Sequence, residues 1–137
     1  MATSRRLMAR AKVEGLGGTP SWTAPEDASE TFIRGAVLVN NAGYLEAGGA
    51  NPTSIVGVAD EPAHNAAADG DSNIAFVPAL PEIVFEGSVD NTAAGTGVIA
   101  AADLWAEYGI TVDAAGIWYV DKDKAAGATS RVRIVGF

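Results

Sequence analysis

Residues 31–47 read TFIRGAVLVNNAGYLEA, and this stretch determines the predicted fold class. The run TFIRGAVLV predicts a strand, because it is apolar and its β-branched side chains suit the pleated surface of a sheet. The following NNAG predicts a tight turn, since Asn and Gly tolerate positive φ. YLEA then predicts a returning strand, so the whole stretch predicts a β-hairpin.

The chain beyond this hairpin consists mainly of short apolar runs separated by turn residues. The further predicted strands are TSIVGVADE, IAFVPA, EIVFEGSV, ITVD, GIWYVD and RVRIVGF. Alternation in the last run places Val132 and Ile134 on one face, and we expect this strand to pair with GIWYVD. One helix is predicted, over residues 98–109 (VIAAADLWAEYG), with Gly109 at its C-terminal end.

The composition agrees with an all-β fold. Val and Ile together number 21 against only 6 Leu, and 16 Gly and 6 Pro punctuate the chain. Short, closely spaced strands with turn signals predict one small β-barrel or β-sandwich-like domain with a single short helix. The chain has no cysteine, which excludes disulfides, thiolate metal sites and thiol nucleophiles. It also lacks the apolar runs of a membrane span or a secretory signal, so we expect no membrane partner.

Residues 1–30 differ from the rest and predict an extended N-terminal arm, with the domain over residues 31–137. The arm lacks sustained periodicity and is rich in Gly, Pro, Ser and Thr. Its first thirteen residues carry four basic side chains and no acidic one, whereas the whole chain has a net charge of −8. A short helix over residues 4–13, or a disordered solubilising terminus, are the alternatives for this basic tip. Because the remainder is acidic, we expect no nucleic-acid partner outside the tip.

Four patterns resemble catalytic or binding motifs, and each fits a simpler interpretation better. His64 lies in a loop without a neighbouring Ser, Cys or second His, so we expect a solvated side chain. DGDSN (residues 69–73) matches the start of a calcium loop but lacks the later Gly and acidic positions. GTGVIA (residues 95–100) lacks the parallel βαβ unit of a dinucleotide site and predicts a glycine turn. Asp103 and Glu107 would share a helix face exposed to solvent. We therefore expect no enzymatic activity, no cofactor and no metal.

Longer segments resemble the small capsid decoration (cement) proteins of tailed bacteriophages. The resemblance rests on FIRGAVLVNNAGYLEAGGANPTSIVGVADEPA, FVPALPEIVFEGSV and ADLWAEYGITVDAAGIWYVDKDKAAGATSRVRIVGF. These segments share the family's apolar strand starts, a GVA segment, a Pro-bounded strand with a central Phe, and a final Arg-Val-x-Ile strand. The resemblance covers about residues 31–137, and the N-terminal arm departs from it.

This resemblance implies a non-enzymatic, barrel-like protein, made in the host cytoplasm, that coats the outer surface of the virion head. It implies contacts with the major capsid protein that bridge capsomers and stabilise the capsid, and self-association as a homotrimer. No catalytic residue transfers from the family. The arm is long enough to cross a neighbouring subunit, since an extended chain spans about 3.3 Å per residue. The candidate contact residues for the capsid or a second copy are Arg5, Arg6, Leu7, Met8, Arg10, Lys12, Trp22, Val135 and Phe137.

Three other functions remain open at this point. A carbohydrate-binding module, for virion adhesion, would use Trp105, Trp118 and Tyr119 as a stacking surface. An enzyme would use Asp103, Glu107 or His64. Another structural role, such as a major shell or tail component, is a further alternative, although major shell proteins of tailed phages are generally much longer.

Overall fold

The computed structural model describes residues 7–12, 20–93, 95–124 and 132–136, with the backbone alone for 7–12. Eleven strands are present in these ranges. They are β1 (Leu7–Lys12), β2 (Trp22–Pro25), β3 (Val37–Asn41), β4 (Tyr44–Ala47), β5 (Gly57–Ala59), β6 (Asn73–Pro78), β7 (Val84–Gly87), β8 (Val89–Asp90), β9 (Glu107–Val112), β10 (Trp118–Asp121) and β11 (Val132–Arg133). The predicted all-β class is confirmed.

The chain divides into two compact units, each with its own sheet. One unit comprises residues 8–48 and 54–86 and contains a five-stranded sheet in the order β2-β6-β5-β3-β4. β1 and β7 form a separate two-stranded sheet. The other unit comprises residues 1–7, 49–53 and 87–137 and contains a four-stranded sheet in the order β11-β9-β10-β8.

The predicted hairpin is the β3–β4 pair of the five-stranded sheet. Asn41 pairs with Tyr44 across a two-residue turn made by Ala42 and Gly43, which have φ values of 51° and 104°. Positive φ at both central residues is the backbone of a type I′ turn, whose twist matches that of the strands. The Asn40 side chain accepts a hydrogen bond from the Gly43 amide at 2.9 Å. The turn lies where NNAG predicts it, but its positive φ values fall on Ala42 and Gly43, while Asn40 contributes through its side-chain hydrogen bond.

Apolar side chains from four strands form the core of the five-stranded sheet. Its buried residues include Val37, Leu38, Leu45, Val58, Ile74, Phe76 and Val77. Gly57 lies where β5 passes closest to β6, because a Cβ there would collide with the Val77 carbonyl and the Phe76 ring. The two edges of this sheet approach each other through one isolated parallel bridge, between Glu26 and Leu45. Because a single bridge joins these two edges, and not a ladder of paired residues, the five-stranded sheet does not close into a barrel.

β2 lies within the segment that the sequence assigned to the arm. Its four residues pair antiparallel with β6, from Trp22 opposite Phe76 to Pro25 opposite Asn73. The expectation that strands begin near Thr31 is therefore wrong for β2. Its β-branched and aromatic content is only Trp22 and Thr23, so the pairing depends on β6 rather than on local propensity. The alternative of a helix over residues 4–13 is also wrong, since Leu7–Lys12 form β1.

The four-stranded sheet corrects two further predictions. Residues 98–109 do not form a helix: a single 3-10 turn covers Ala101–Asp103, Leu104 is extended, and β9 begins at Glu107. The final strand β11 pairs antiparallel with β9, not with β10, so that Val132 lies opposite Tyr108. β9 instead holds the centre of the sheet between β10 and β11. Its buried side chains Tyr108 and Ile110, together with Trp118, Tyr119 and Ile134, supply the core of this unit.

Candidate functional site

Part of the basic tip forms strand β1, and the structure describes only the backbone of that strand. Arg5 and Arg6 lie outside the described residues, as does Phe137 at the other end of the chain. Leu7, Met8, Arg10 and Lys12 lie on β1, which is paired with β7. Their proposed role in capsid contact stays a prediction.

Trp22 presents an aromatic face on the edge strand β2. Its side chain is 51% exposed, and its ring meets the Phe76 ring edge to face with centroids 6.3 Å apart. Edge-to-face pairing fixes the orientation of an aromatic ring without burying it. Trp22 is thus held by the sheet while most of its surface faces solvent.

A second exposed apolar surface lies in the unit that contains the four-stranded sheet. It consists of Leu104, Trp105 and Val135, and we call it the Trp105 surface. The exposed fractions are 37%, 67% and 45%. The Trp105 amide donates to the Ile134 carbonyl at 2.8 Å, and the Ile134 amide donates to the Ala106 carbonyl at 3.1 Å. These two bonds place Trp105 beside the residue that precedes Val135. Ile134 itself is buried, so the same segment faces the core on one side and solvent on the other.

The backbone of Trp105 is unusual for a bulky residue. Its φ is +66°, in the left-handed region that costs an L-residue roughly 1–2 kcal/mol. The residue sits between the 3-10 turn and β9, where the chain reverses direction into the sheet. Backbone strain of this kind is enriched at functional sites, so Trp105 is a candidate contact position.

The Asp103 carboxylate accepts three hydrogen bonds in the four-stranded unit. Its Oδ1 accepts a 2.5 Å hydrogen bond from the Tyr108 hydroxyl, and its Oδ2 accepts bonds from Lys122 Nζ at 2.9 Å and the Ala100 amide at 2.7 Å. The hydrogen bond from Tyr108, with those from Lys122 and Ala100, lowers the pKa of Asp103 to about 2. The same hydrogen bond raises the pKa of Tyr108. Lys122 Nζ also donates to the Val98 carbonyl, which fastens the preceding loop.

Asp90 holds the glycine turn that resembles a nucleotide loop. Its Oδ1 accepts hydrogen bonds from the amides of Asn91 and Gly97, and its Oδ2 accepts one from Gly95, all at 2.8–2.9 Å. A Cβ at Gly97 would collide with the Asp90 backbone, so the loop needs glycine to approach the carboxylate. The Gly95 and Gly97 amides are thus bound to an aspartate of the chain itself. The prediction of a glycine turn in place of a dinucleotide motif agrees with this geometry.

A third buried carboxylate, Asp121, secures the start of the same loop. Its Oδ2 accepts from the Thr92 hydroxyl at 2.9 Å, and its Oδ1 accepts from the Asp123 amide at 3.0 Å. Asp123 in turn accepts from the Thr92 amide at 2.8 Å. Asp90, Asp103 and Asp121 therefore fasten residues 91–93 and 95–103, which contain no strand.

Two predicted chemical groupings do not assemble. Asp103 is buried in its hydrogen-bond cluster, whereas Glu107 is exposed on β9 and pairs with Arg133, so they do not form an acid/base pair on one helix face. Trp118 and Tyr119 are each only 3% exposed and belong to the core. The stacking surface proposed for carbohydrate therefore keeps only Trp105. Consecutive residues of a strand point to opposite faces, and both of these β10 side chains are buried.

His64 is the exposed loop residue that the sequence predicts, but its amide and ring also bind a buried partner that the sequence did not indicate. Its Nδ1 lies 2.6 Å from Glu26 Oε2, and its amide donates to Glu26 Oε1 at 2.8 Å. Glu26 is completely buried, while the His64 side chain is 39% exposed. Because Glu26 lies in the predicted arm, 38 residues before His64, no local pattern could have linked the two.

The DGDSN stretch is a structural turn. Asp69 Oδ1 accepts a hydrogen bond from the Ala28 amide at 3.1 Å, and the Gly70 amide donates to the Glu26 carbonyl. Within the described ranges, no three His, Asp or Glu side chains are placed to hold a metal ion. Likewise, no helix in this part of the chain has the length and apolarity to cross a bilayer.

Comparison with known proteins adds no relative. The chain matches no family model, no curated protein and no solved structure.

Proposed function

We propose that the protein is a non-enzymatic decoration protein that binds the outer surface of a tailed-phage head and stabilises it by bridging capsomers. The single observation that carries this proposal from the structure is Trp105, a 67% exposed aromatic residue held at a φ of +66°. An apolar side chain that faces solvent favours binding of a partner, because the partner removes this apolar surface from water. The resemblance of residues 31–137 to capsid decoration proteins gives the kind of partner.

The use of the buried acidic side chains supports a structural role. The carboxylates of Asp90, Asp103 and Asp121 accept hydrogen bonds from backbone amides and neighbouring side chains. General acid/base chemistry needs a carboxyl group with a pKa near the working pH, whereas the pKa of Asp103 is lowered to about 2. These residues are suited to holding a loop in place.

Exposed aromatic residues at two places suit a protein that bridges subunits. Trp22 lies on the edge strand of the five-stranded sheet, and Trp105 lies in the four-stranded unit. Tryptophan is enriched among the residues that dominate binding energy at protein interfaces. Many weak contacts repeated over a closed shell would add through effective concentration. In this proposal the partners are the major capsid protein and further copies in a homotrimer, and the location is the virion surface.

The deciding experiment is co-sedimentation of the protein with purified heads that lack decoration. Wild-type protein should bind, and Trp105→Gly should bind at least about tenfold more weakly, in line with the loss of an interface aromatic. The matched control is Ala42→Gly, since Ala42 is also exposed at a positive φ of 51° but lies in a hairpin turn. Failure of the wild-type protein to bind any undecorated head, combined with binding to an immobilised glycan, would replace this proposal with the adhesion alternative.

A further inference from the structure

The Glu26–His64 pair joins two distant parts of the five-stranded unit. Both oxygens of the Glu26 carboxylate are bound by one residue, Oε1 by the His64 amide at 2.8 Å and Oε2 by the His64 ring at 2.6 Å. Glu26 immediately follows β2, and His64 lies in the segment between β5 and β6. The pair therefore fastens residues 61–66 to the end of the edge strand.

The remaining bonds of this segment are few and depend on the same arrangement. The Ala63 amide donates to the Phe32 carbonyl at 3.0 Å, and the Ser29 amide donates to the Ala66 carbonyl at 2.9 Å. Glu61 Oε1 accepts from the Ala75 amide at 2.8 Å. Residues 61–66 contain no strand, so their position depends on these side-chain and loop bonds rather than on a ladder.

The charges around the pair are predominantly negative. Glu61, on the segment itself, acts on the His64 ring, and Glu30, after β2, acts on Glu26. Asp27 and Glu46 on β4 act on Glu30 in turn. The nearby cation Arg34 is committed to Asp60 at 2.6 Å. His64 is the chain's single histidine, and its ring is the group that can bring a positive charge to Glu26. A completely buried carboxylate without a counter-charge is costly, because burial removes its hydration.

We propose that Glu26 and His64 form a pH-sensitive clamp, closed when the imidazole is protonated, which releases residues 61–66 when the proton leaves. The partly exposed ring gives the proton a path to solvent while Glu26 stays covered. Loss of the imidazolium leaves the buried carboxylate among like charges, and opening of the segment lets water reach it. The clamp is independent of the capsid-binding role, since it needs no partner.

The pH range of the clamp follows from the hydrogen bond itself. The bond to Glu26, together with the charges of Glu26 and Glu61, raises the pKa of His64 above its ordinary value of 6.5. A group with a higher pKa in the folded state adds stability that is complete below the unfolded value and is lost as pH rises through the folded value. The segment is therefore clamped in mildly acidic solution and released above the raised pKa.

The test combines imidazole titration with amide hydrogen exchange on the full chain. Because there is one histidine, its NMR signal reports His64 alone. Protection of the His64 and Ala63 amides, corrected for intrinsic exchange, should fall as pH rises through the His64 midpoint. Each unit by which that midpoint exceeds the ordinary value corresponds to about a tenfold change in opening. The Val56 and Ala59 amides, which bond to Leu38 and Ala36 in the sheet, should keep their protection.

Variants separate the clamp from general effects of pH. Glu26→Gln keeps a hydrogen-bond acceptor but removes the charge, so the His64 midpoint should drop and the pH dependence of protection should vanish. Glu61→Gln is the matched control, since Glu61 lies 3.9 Å from the ring and should leave the pH dependence in place. If Glu26→Gln does not fold, His64→Gln provides the uncharged comparison. The proposal would be overturned if amide protection in the wild type were equal below and above the His64 midpoint. It would also be overturned if Glu26→Gln or His64→Gln lost protection with rising pH as the wild type does.

Discussion

The Tyr108 hydroxyl donates a 2.5 Å hydrogen bond to Asp103, across the boundary between a 3-10 turn and the central strand of its sheet. Tyr108 is buried on β9, and Asp103 also binds Lys122 from the segment after β10. One carboxylate thus connects residues 100–103 to β9 and to the segment that follows β10. This connection makes the stability of the unit depend on the charge of Asp103.

We expect the protein to lose stability in acid because of this carboxylate. The pKa of Asp103 is lowered to about 2 from an ordinary value of 3.8. A group with a lowered pKa in the folded state adds stability that is present above the unfolded value and lost as pH falls through the folded value. The free energy of unfolding, measured in urea between pH 5 and pH 2, should therefore decrease below about pH 4.

The Asp103→Asn variant tests whether Asp103 causes the loss of stability in acid. The variant should have a lower Tm at pH 7, by roughly 4 °C or more, because Lys122 loses its anionic partner. Its urea stability should also change less than that of the wild type between pH 4 and pH 2. Parallel acid curves for the two proteins would assign the effect to other carboxyl groups.

The glycine turn provides a test of packing rather than charge. Gly97→Ala should lower the free energy of unfolding by about 1–3 kcal/mol, since the new methyl group would overlap the Asp90 backbone. Gly49→Ala is the control, because a Cβ at Gly49 meets nothing within 4 Å. Denaturant unfolding of the two variants compares them directly. A Gly97→Ala protein as stable as Gly49→Ala would show that the loop can move away from Asp90.

The sequence predicted those parts of the fold whose signals are local. NNAG predicted a tight turn, which lies between β3 and β4. The alternation of Val132 and Ile134 predicted one buried face, and Ile134 is buried there whereas Val132 is half-buried. The sequence misassigned residues 98–109, where Leu104 and Tyr108 have helical spacing. Tertiary bonds outweighed that spacing, since Asp103 binds Tyr108 and Lys122, and Trp105 takes a left-handed conformation.

Long-range pairings are the parts that one sequence could not predict. β2 carries a weak strand signal and is held by pairing with β6, about fifty residues away. Glu26 and His64 are likewise distant in sequence, and neither belongs to a recognisable motif. Trp105 could be proposed from its residue type as a contact residue, but its exposure became evident only from the fold. Trp118 and Tyr119 have the same aromatic character and are buried.

The position of β2 gives a prediction about the N-terminal segment. Deletion of residues 1–19 should leave the five-stranded sheet folded, since β2 begins at Trp22. Deletion of residues 1–26 should unfold that unit, because it removes a paired strand together with the buried Glu26. Circular dichroism melting of both truncations would measure the difference. Two equally stable truncations would mean that β2 contributes little to the sheet.

We expect the Trp105 residue to lower the stability of the folded protein and to strengthen its binding to undecorated heads. Trp105→Gly should raise the free energy of unfolding by about 0.5–1 kcal/mol, because removal of left-handed strain exceeds the entropy cost of glycine. The side chain is 67% exposed, so little packing is lost. Ala42→Gly should give a similar gain in urea unfolding, but only the Trp105 variant should lose affinity for undecorated heads. If Trp105→Gly is clearly destabilised, the indole contributes to the fold, and the strain cannot be assigned to partner binding.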